Sequence, residues 1–219
     1  MKPILKTLLI LFALSLPTQR LDAQIYAKLN GLYALVGVIN PAVEFTVSPK
    51  STFQTEIVFS PWKYVNDHGV DKPMKFGILM TEYRRYFKQH NRGWYLGANM
   101  GMMGFKMSKP QFSDGWFLEN RYSKGYGMMI GICGGFEYPF ADRWLLDAYF
   151  GWSYMLSWYN GYSLDGTIDL YPHRPVQLEK PDPFNGSHEW LPNKIGVSIG
   201  FMIFNPARRG RTGSSCAVR

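Results

Sequence analysis

Ile195-Gly196-Val197-Ser198-Ile199-Gly200-Phe201-Met202-Ile203 alternates strictly, with Ile195, Val197, Ile199, Phe201 and Ile203 on one face and Gly196, Ser198, Gly200 and Met202 on the other. A period of two is the signature of a β-strand. The same division into one bulky apolar face and one small or polar face recurs along the chain. Val43, Phe45 and Val47 alternate with Ala42, Glu44 and Thr46, and Phe53, Thr55, Ile57 and Phe59 alternate with Gln54, Glu56 and Ser60. Leu79, Tyr83 and Phe87 oppose Glu82 and Arg84, while Leu96, Ala98, Met100 and Met102 oppose Gly97, Asn99 and Gly101. From Tyr126 to Tyr138 the apolar phase faces away from Gly127, Gly131, Cys133, Gly135 and Glu137. The longest run, Trp144 to Trp158, sets its aromatic phase against Asp147, Gly151, Ser153 and Ser157. With Tyr26 to Val36 these make eight segments, and no window after Gln24 carries a helical stripe. The fold class predicted is all-β, in a single domain over residues 24–204.

The connections carry a second signal. Ser48 to Ser51, Lys88 to Gly93 and Pro139 to Arg143 are short, whereas Asn66 to Pro73, Lys106 to Lys124 and Gly161 to Pro192 are long; Gly37 to Pro41 is tight. Alternating short turns and long loops are the pattern of an outer-membrane barrel, so an eight-stranded antiparallel transmembrane β-barrel is expected, in the cell outer membrane with its long loops outside. A soluble, lipocalin-like periplasmic barrel would also have one apolar face, turned inward. It would need solvating Lys and Glu on the other face, and that face here is rich in Gly, Ser and Asn. Only 18% of the residues are charged, against roughly 25% in a soluble domain. Small side chains suit the narrow interior of an eight-stranded barrel.

The charges on the small-residue face are Lys28, Glu44, Glu56, Glu82, Arg84, Glu137 and Asp147, together with Lys194. Buried charges persist when paired and hydrogen-bonded, so they are expected to form an interior polar network that plugs the barrel; an ion path through them is the alternative. Phe87, Trp94, Tyr138, Phe140 and Trp144 sit beside the short turns, and Phe59, Trp62, Tyr126, Trp158 and Tyr159 lie toward the long loops. Two such groups are what membrane interfaces select.

The two ends of the chain have their own character. Lys2 and Lys6 precede an apolar run from Leu8 to Leu16, and Leu21-Asp22-Ala23 ends in a small residue: residues 1–23 read as a cleaved signal peptide. The run is too short for an anchor helix, which needs roughly 20 residues. The net charge of +8 is concentrated at the ends: Lys2, Lys6 and Arg20 against Asp22 leave +2 in the leader, four arginines give the tail from Asn205 +4, and +2 remains for the body. No basic stripe crosses the body, so nucleic-acid binding is not expected. Residues 205–219 read as a basic disordered tail, and Cys133 and Cys216 as free thiols.

No metal-ligand spacing, phosphate loop or nucleophile elbow is present. The four histidines, His68, His90, His173 and His188, all fall in connections. A loop-based lipid-modifying enzyme would need His68, His173 and His188 to converge, and their spacing does not require it. The Gly161 to Pro192 connection, with Tyr171, His173, Arg174 and Trp190 among prolines, is the candidate surface recognition loop.

Lys28-Leu29-Asn30-Gly31-Leu32-Tyr33-Ala34, Asn40-Pro41-Ala42-Val43-Glu44-Phe45, Ser60-Pro61-Trp62, Glu82-Tyr83-Arg84-Arg85-Tyr86-Phe87, Gly93-Trp94-Tyr95-Leu96-Gly97 and Gly196 to Gly200 follow one another in an order that resembles the small outer-membrane barrels of Bacteroides-type bacteria. That family is known as a domain of unknown function, with some members encoded near fimbrial genes. The resemblance implies architecture, location and possible surface or fimbrial protein partners. It brings no catalytic residue. The expectation is a monomer in outer-membrane lipid, with no cofactor and no enzymatic activity, in a structural or surface-interaction role.

Overall fold

The computed structural model describes residues 24–110, 118–164 and 188–206. Residues 1–23, expected to be a signal peptide, residues 207–219 with Cys216, and Tyr171, His173 and Arg174 lie outside the described residues. The elements are β1 (Ile25–Asn30), α1 (Gly31–Leu35), β2 (Pro41–Ser48), β3 (Ser51–Phe59), β4 (Tyr64–Asp67), β5 (Val70–Tyr86), β6 (Gly93–Met107), β7 (Arg121–Ala141), β8 (Trp144–Ser163) and β9 (His188–Phe204). Every pairing is antiparallel. The order β3-β2-β1-β9-β8-β7-β6-β5 closes on itself because β3 also pairs with β5, from Ser51 opposite Arg85 to Phe59 opposite Gly77. The result is a closed antiparallel ring of eight strands, which removes the unpaired edges of an open sheet. The ninth strand, β4, is a short flap on the start of β5.

The alternation seen in the sequence sorts side chains between the two faces of the ring. Ile130, Ile132, Trp94, Leu96, Met100, Trp152 and Ile199 point outward and are exposed, Ile132 to 69%. The inward positions hold polar and small residues, and glycines there make room for large partners. Tyr95, Gly135, Tyr149 and Gly196 form one cross-strand row, and Arg84, Gly97, Cys133, Gly151 and Lys194 form the next. A Cβ added to Gly196 would lie 2.6 Å from the Tyr149 hydroxyl, and one on Gly97 2.8 Å from the Cys133 Sγ. Alternating large and small residues around a narrow interior fills it without overlap.

Four details depart from the sequence expectation. The segment from Tyr26 to Val36 is strand only as far as Asn30. The Asn30 Oδ1 accepts hydrogen bonds from the Leu32 and Tyr33 amides at 2.9 and 3.3 Å, capping the one-turn α1. Its Nδ2 meanwhile donates to the Tyr149 hydroxyl at 2.9 Å, fixing the strand end to the ring interior. Asn66 to Pro73 is a hairpin rather than a long loop: Asp67 pairs with Val70 across His68 and Gly69, both at positive φ (53° and 83°), the geometry of a tight two-residue turn. Tyr159 is not in the outward aromatic group. Trp158 takes the outward phase, so its neighbour turns in and packs on Phe105, ring centroids 6.1 Å apart. Finally, β8 and β9 extend into the long connection at both ends, to Ser163 and from His188.

Candidate functional site

Within the ring, the charged residues converge from six of its strands. Lys28 of β1 lies opposite Ala42 and Gly200, two small neighbours that let its long side chain cross the interior. Glu44 comes from β2, Glu56 from β3, Glu82 and Arg84 from β5, Glu137 from β7 and Asp147 from β8. Glu137 and Asp147 are direct cross-strand partners. Two carboxylates so placed repel one another, and two cations bridge them. The Lys28 Nζ donates to Glu137 and, at 2.9 Å, to Asp147, and also pairs with Glu44. The Arg84 Nη1 donates to Glu137 at 2.9 Å and to Asp147 at 2.7 Å, while its Nε binds Glu82.

Lys194 of β9 extends the network. It pairs with Glu56 at 3.0 Å and with Glu82, so Glu82 joins the two halves. Tyrosine and polar side chains add hydrogen bonds to the carboxylates: Tyr86 donates to Glu44 at 2.9 Å, Tyr95 to Asp147 at 2.9 Å, and Asn91 to Glu137 at 3.3 Å. The Arg84 guanidinium stacks 4.6 Å from the Tyr95 ring centroid. The structure thus brings together all seven charges singled out in the sequence, with Lys194. What the sequence reading missed is the tyrosine shell. Tyr95 and Tyr149 sit in the same phase as the inward glycines, and that was the signal available.

Carboxylate oxygens of Glu44, Glu137 and Asp147 lie within 4.8 Å of one another, close enough to hold a metal ion. The Lys28 ammonium pairs with all three, so the chain's own cation occupies the position a metal would take. The polar network fills the half of the ring near the short turns. Toward the long connections the interior becomes apolar, with Phe105, Met155 and Tyr159 packed against Phe76, Met103, Met107 and Leu191.

The remaining candidates are dispersed. His68 hydrogen-bonds Asp67 at 2.8 Å in the β4–β5 turn, and His90 hydrogen-bonds Asn91 at 2.8 Å in the β5–β6 turn, so the length of β5 separates them. His188 begins β9, and its side chain lies outside the described residues, as His173 does entirely. Trp190 is a wall residue: it faces outward from β9 and packs on its cross-strand partner Tyr154, centroids 5.4 Å apart. Cys133 is buried and free.

A family model described as a protein of unknown function, DUF3575, matches residues 6–203. The chain belongs to the DUF3575 family. No curated protein and no solved structure matches it. Among the described residues no helix is long and apolar enough to cross a membrane, which has no bearing on crossing by strands.

Proposed function

We propose that this DUF3575 chain is a transmembrane β-barrel of the outer-membrane type, plugged by its own ion pairs, with a structural or surface-interaction role. The observation that carries it is inverted polarity. Lys28, Arg84, Lys194 and five carboxylates are buried inside, while the outer face presents Ile, Met, Leu, Phe and Trp. In water that arrangement loses the hydrophobic contribution twice over, whereas in a bilayer it places each group in its preferred surroundings. Tyr126 and Tyr138 are twelve residues apart on β7. At a rise of about 3.3 Å and a tilt of about 40° they are separated by roughly 30 Å along the membrane normal, the scale of a hydrocarbon core and its aromatic girdles.

Buried, mutually paired charges favour this reading over a lipocalin-like ligand cavity or an open pore. A surface or fimbrial protein of a Bacteroides-type bacterium is the partner class that the sequence resemblance implies, and the long connections are where it would dock. The test is cell fractionation followed by gel migration of unheated and boiled samples. A band in the outer-membrane fraction that changes mobility on boiling is expected; a soluble periplasmic protein with no shift would overturn the proposal.

A further inference from the structure

One stretch of the outer face is neither apolar nor balanced. Lys75 of β5 is the direct cross-strand partner of Lys106 of β6, which is in turn the partner of Lys124 of β7. Directly opposed residues have Cβ atoms about 5 Å apart, and like charges so placed are destabilising. The diagonal neighbours Gly77, Gly104, Tyr122 and Tyr126 supply no acid, and among the described residues no carboxylate pairs with any of the three lysines. Among the described residues, three adjacent ammonium groups in register therefore stand without a counter-charge.

The next row toward the middle of the wall is equally unusual. Gly77 and Gly104 stand side by side between Phe59 and Tyr126. A Cβ on either glycine would meet nothing within 4 Å. Unlike Gly97 or Gly196, these glycines are not making room for a neighbouring side chain, although glycine weakens a strand. They leave a hollow of about 470 Å³ under the lysines. Immediately beyond it, Leu79, Met102 and Met128 form the floor of an apolar groove of about 370 Å³ on the same face.

We propose that this face binds a phosphorylated lipid, its anionic headgroup on Lys75, Lys106 and Lys124 and its acyl chain over Gly77 and Gly104 into the Leu79–Met102–Met128 groove. The proposal rests on the membrane-spanning reading above, in which the lysine row lies just past Tyr126, at headgroup level. The vertical order of charge, hollow and apolar groove matches an amphiphile lying along the wall. Lys106 is held in place by the Tyr122 ring, with its Nζ 4.8 Å from the centroid.

The test uses the full-length protein in nonionic detergent, titrated with dioleoyl phosphatidic acid and followed by native mass spectrometry. Dioleoyl phosphatidylcholine and inorganic phosphate serve as competitors. Saturation near one phosphatidic acid per chain is expected, displaced by neither competitor at equal concentration. Each Lys→Gln change should weaken binding about fivefold, and K75Q/K106Q/K124Q roughly 100-fold. Filling the hollow with G77L/G104L, lysines intact, should weaken it about tenfold. Unchanged binding by the triple variant would overturn the inference, as would displacement by inorganic phosphate. Gel migration of unheated and boiled samples, run on every variant, separates the two levels. A parent chain that forms no heat-modifiable barrel refutes the membrane reading and this inference with it, whereas an intact barrel without lipid preference refutes this inference alone.

Discussion

Replacing Arg84 with methionine keeps most of the side-chain volume and removes the charge at the centre of the plug. Arg84 is fully buried and reaches Glu44, Glu82, Glu137 and Asp147. With Lys28 and Lys194 it makes three cations against five interior carboxylates, so its loss leaves two cations against five. Removing one partner of a buried pair costs about 3–5 kcal/mol, because the other charge stays desolvated, and R84M should lose about that much. The E137Q change removes one of the two directly opposed carboxylates and should cost about 1 kcal/mol or less. In the double variant R84M/E137Q, part of the imbalance is corrected, so it should be more stable than the sum of the single losses by about 2 kcal/mol. The assay is urea unfolding of the folded protein in detergent, followed by tryptophan fluorescence. An R84M protein within about 1 kcal/mol of the parent, or strictly additive single changes, would refute the view that the interior is one coupled ion-pair network.

Gly135 lies between Tyr95 and Tyr149 in its row, so Gly135→Val should overpack the interior by about 1–3 kcal/mol or more, seen as a reduced yield of heat-modifiable protein. Asp67 accepts hydrogen bonds from Lys72 at 3.0 Å, His68 at 2.8 Å and the Leu118 amide at 3.0 Å. The Lys72 bond foremost lowers its pKa from 3.8 to about 2. A carboxyl whose pKa is lowered on folding stabilises above its unfolded value and loses that contribution as pH falls through its folded one. Exchange protection of the Leu118 amide should therefore persist at neutral pH and fall between about pH 4 and pH 2, and Asp67→Asn should abolish this dependence. In a Cys216→Ser background, Cys133 should resist maleimide until the protein is boiled, since its thiol is buried in the ring; rapid labelling of the folded form would contradict that placement. The plugged interior also predicts silent planar bilayers, and steady conductance would show that the ion pairs leave a path.

Strand number and facing were legible because the period of two is set by backbone geometry, and each segment carried it with residues of opposite character. Ile195 to Ile203 and Trp144 to Trp158 could be assigned to inside and outside from the pattern alone. The short helix was not legible, because the five residues Gly31 to Leu35 are too few to show a helical period and the cap depends on Asn30 reaching two amides while bound to Tyr149. Likewise, the hairpin at His68-Gly69 was hidden by the charged and proline residues after it, which interrupt the apolar phase. The charges of the plug could be read individually, but their pairing depends on register between strands far apart in sequence. Lys28 meets Glu137 and Asp147 only because β1 pairs with β9, which sets it two strands from β8 and three from β7. The lysine row was invisible for the same reason: Lys75, Lys106 and Lys124 become neighbours only once β5, β6 and β7 are aligned.

The central claim, that the apolar outer face lies against lipid chains, is tested most directly by folding the full-length protein into phosphatidylcholine vesicles whose acyl chains carry bromine at mid-chain. Trp152 is outward-facing at the middle of the wall, so strong quenching of tryptophan fluorescence is predicted, with Trp152→Phe removing its largest share. A folded protein that stays in the aqueous phase with unquenched fluorescence would contradict the account.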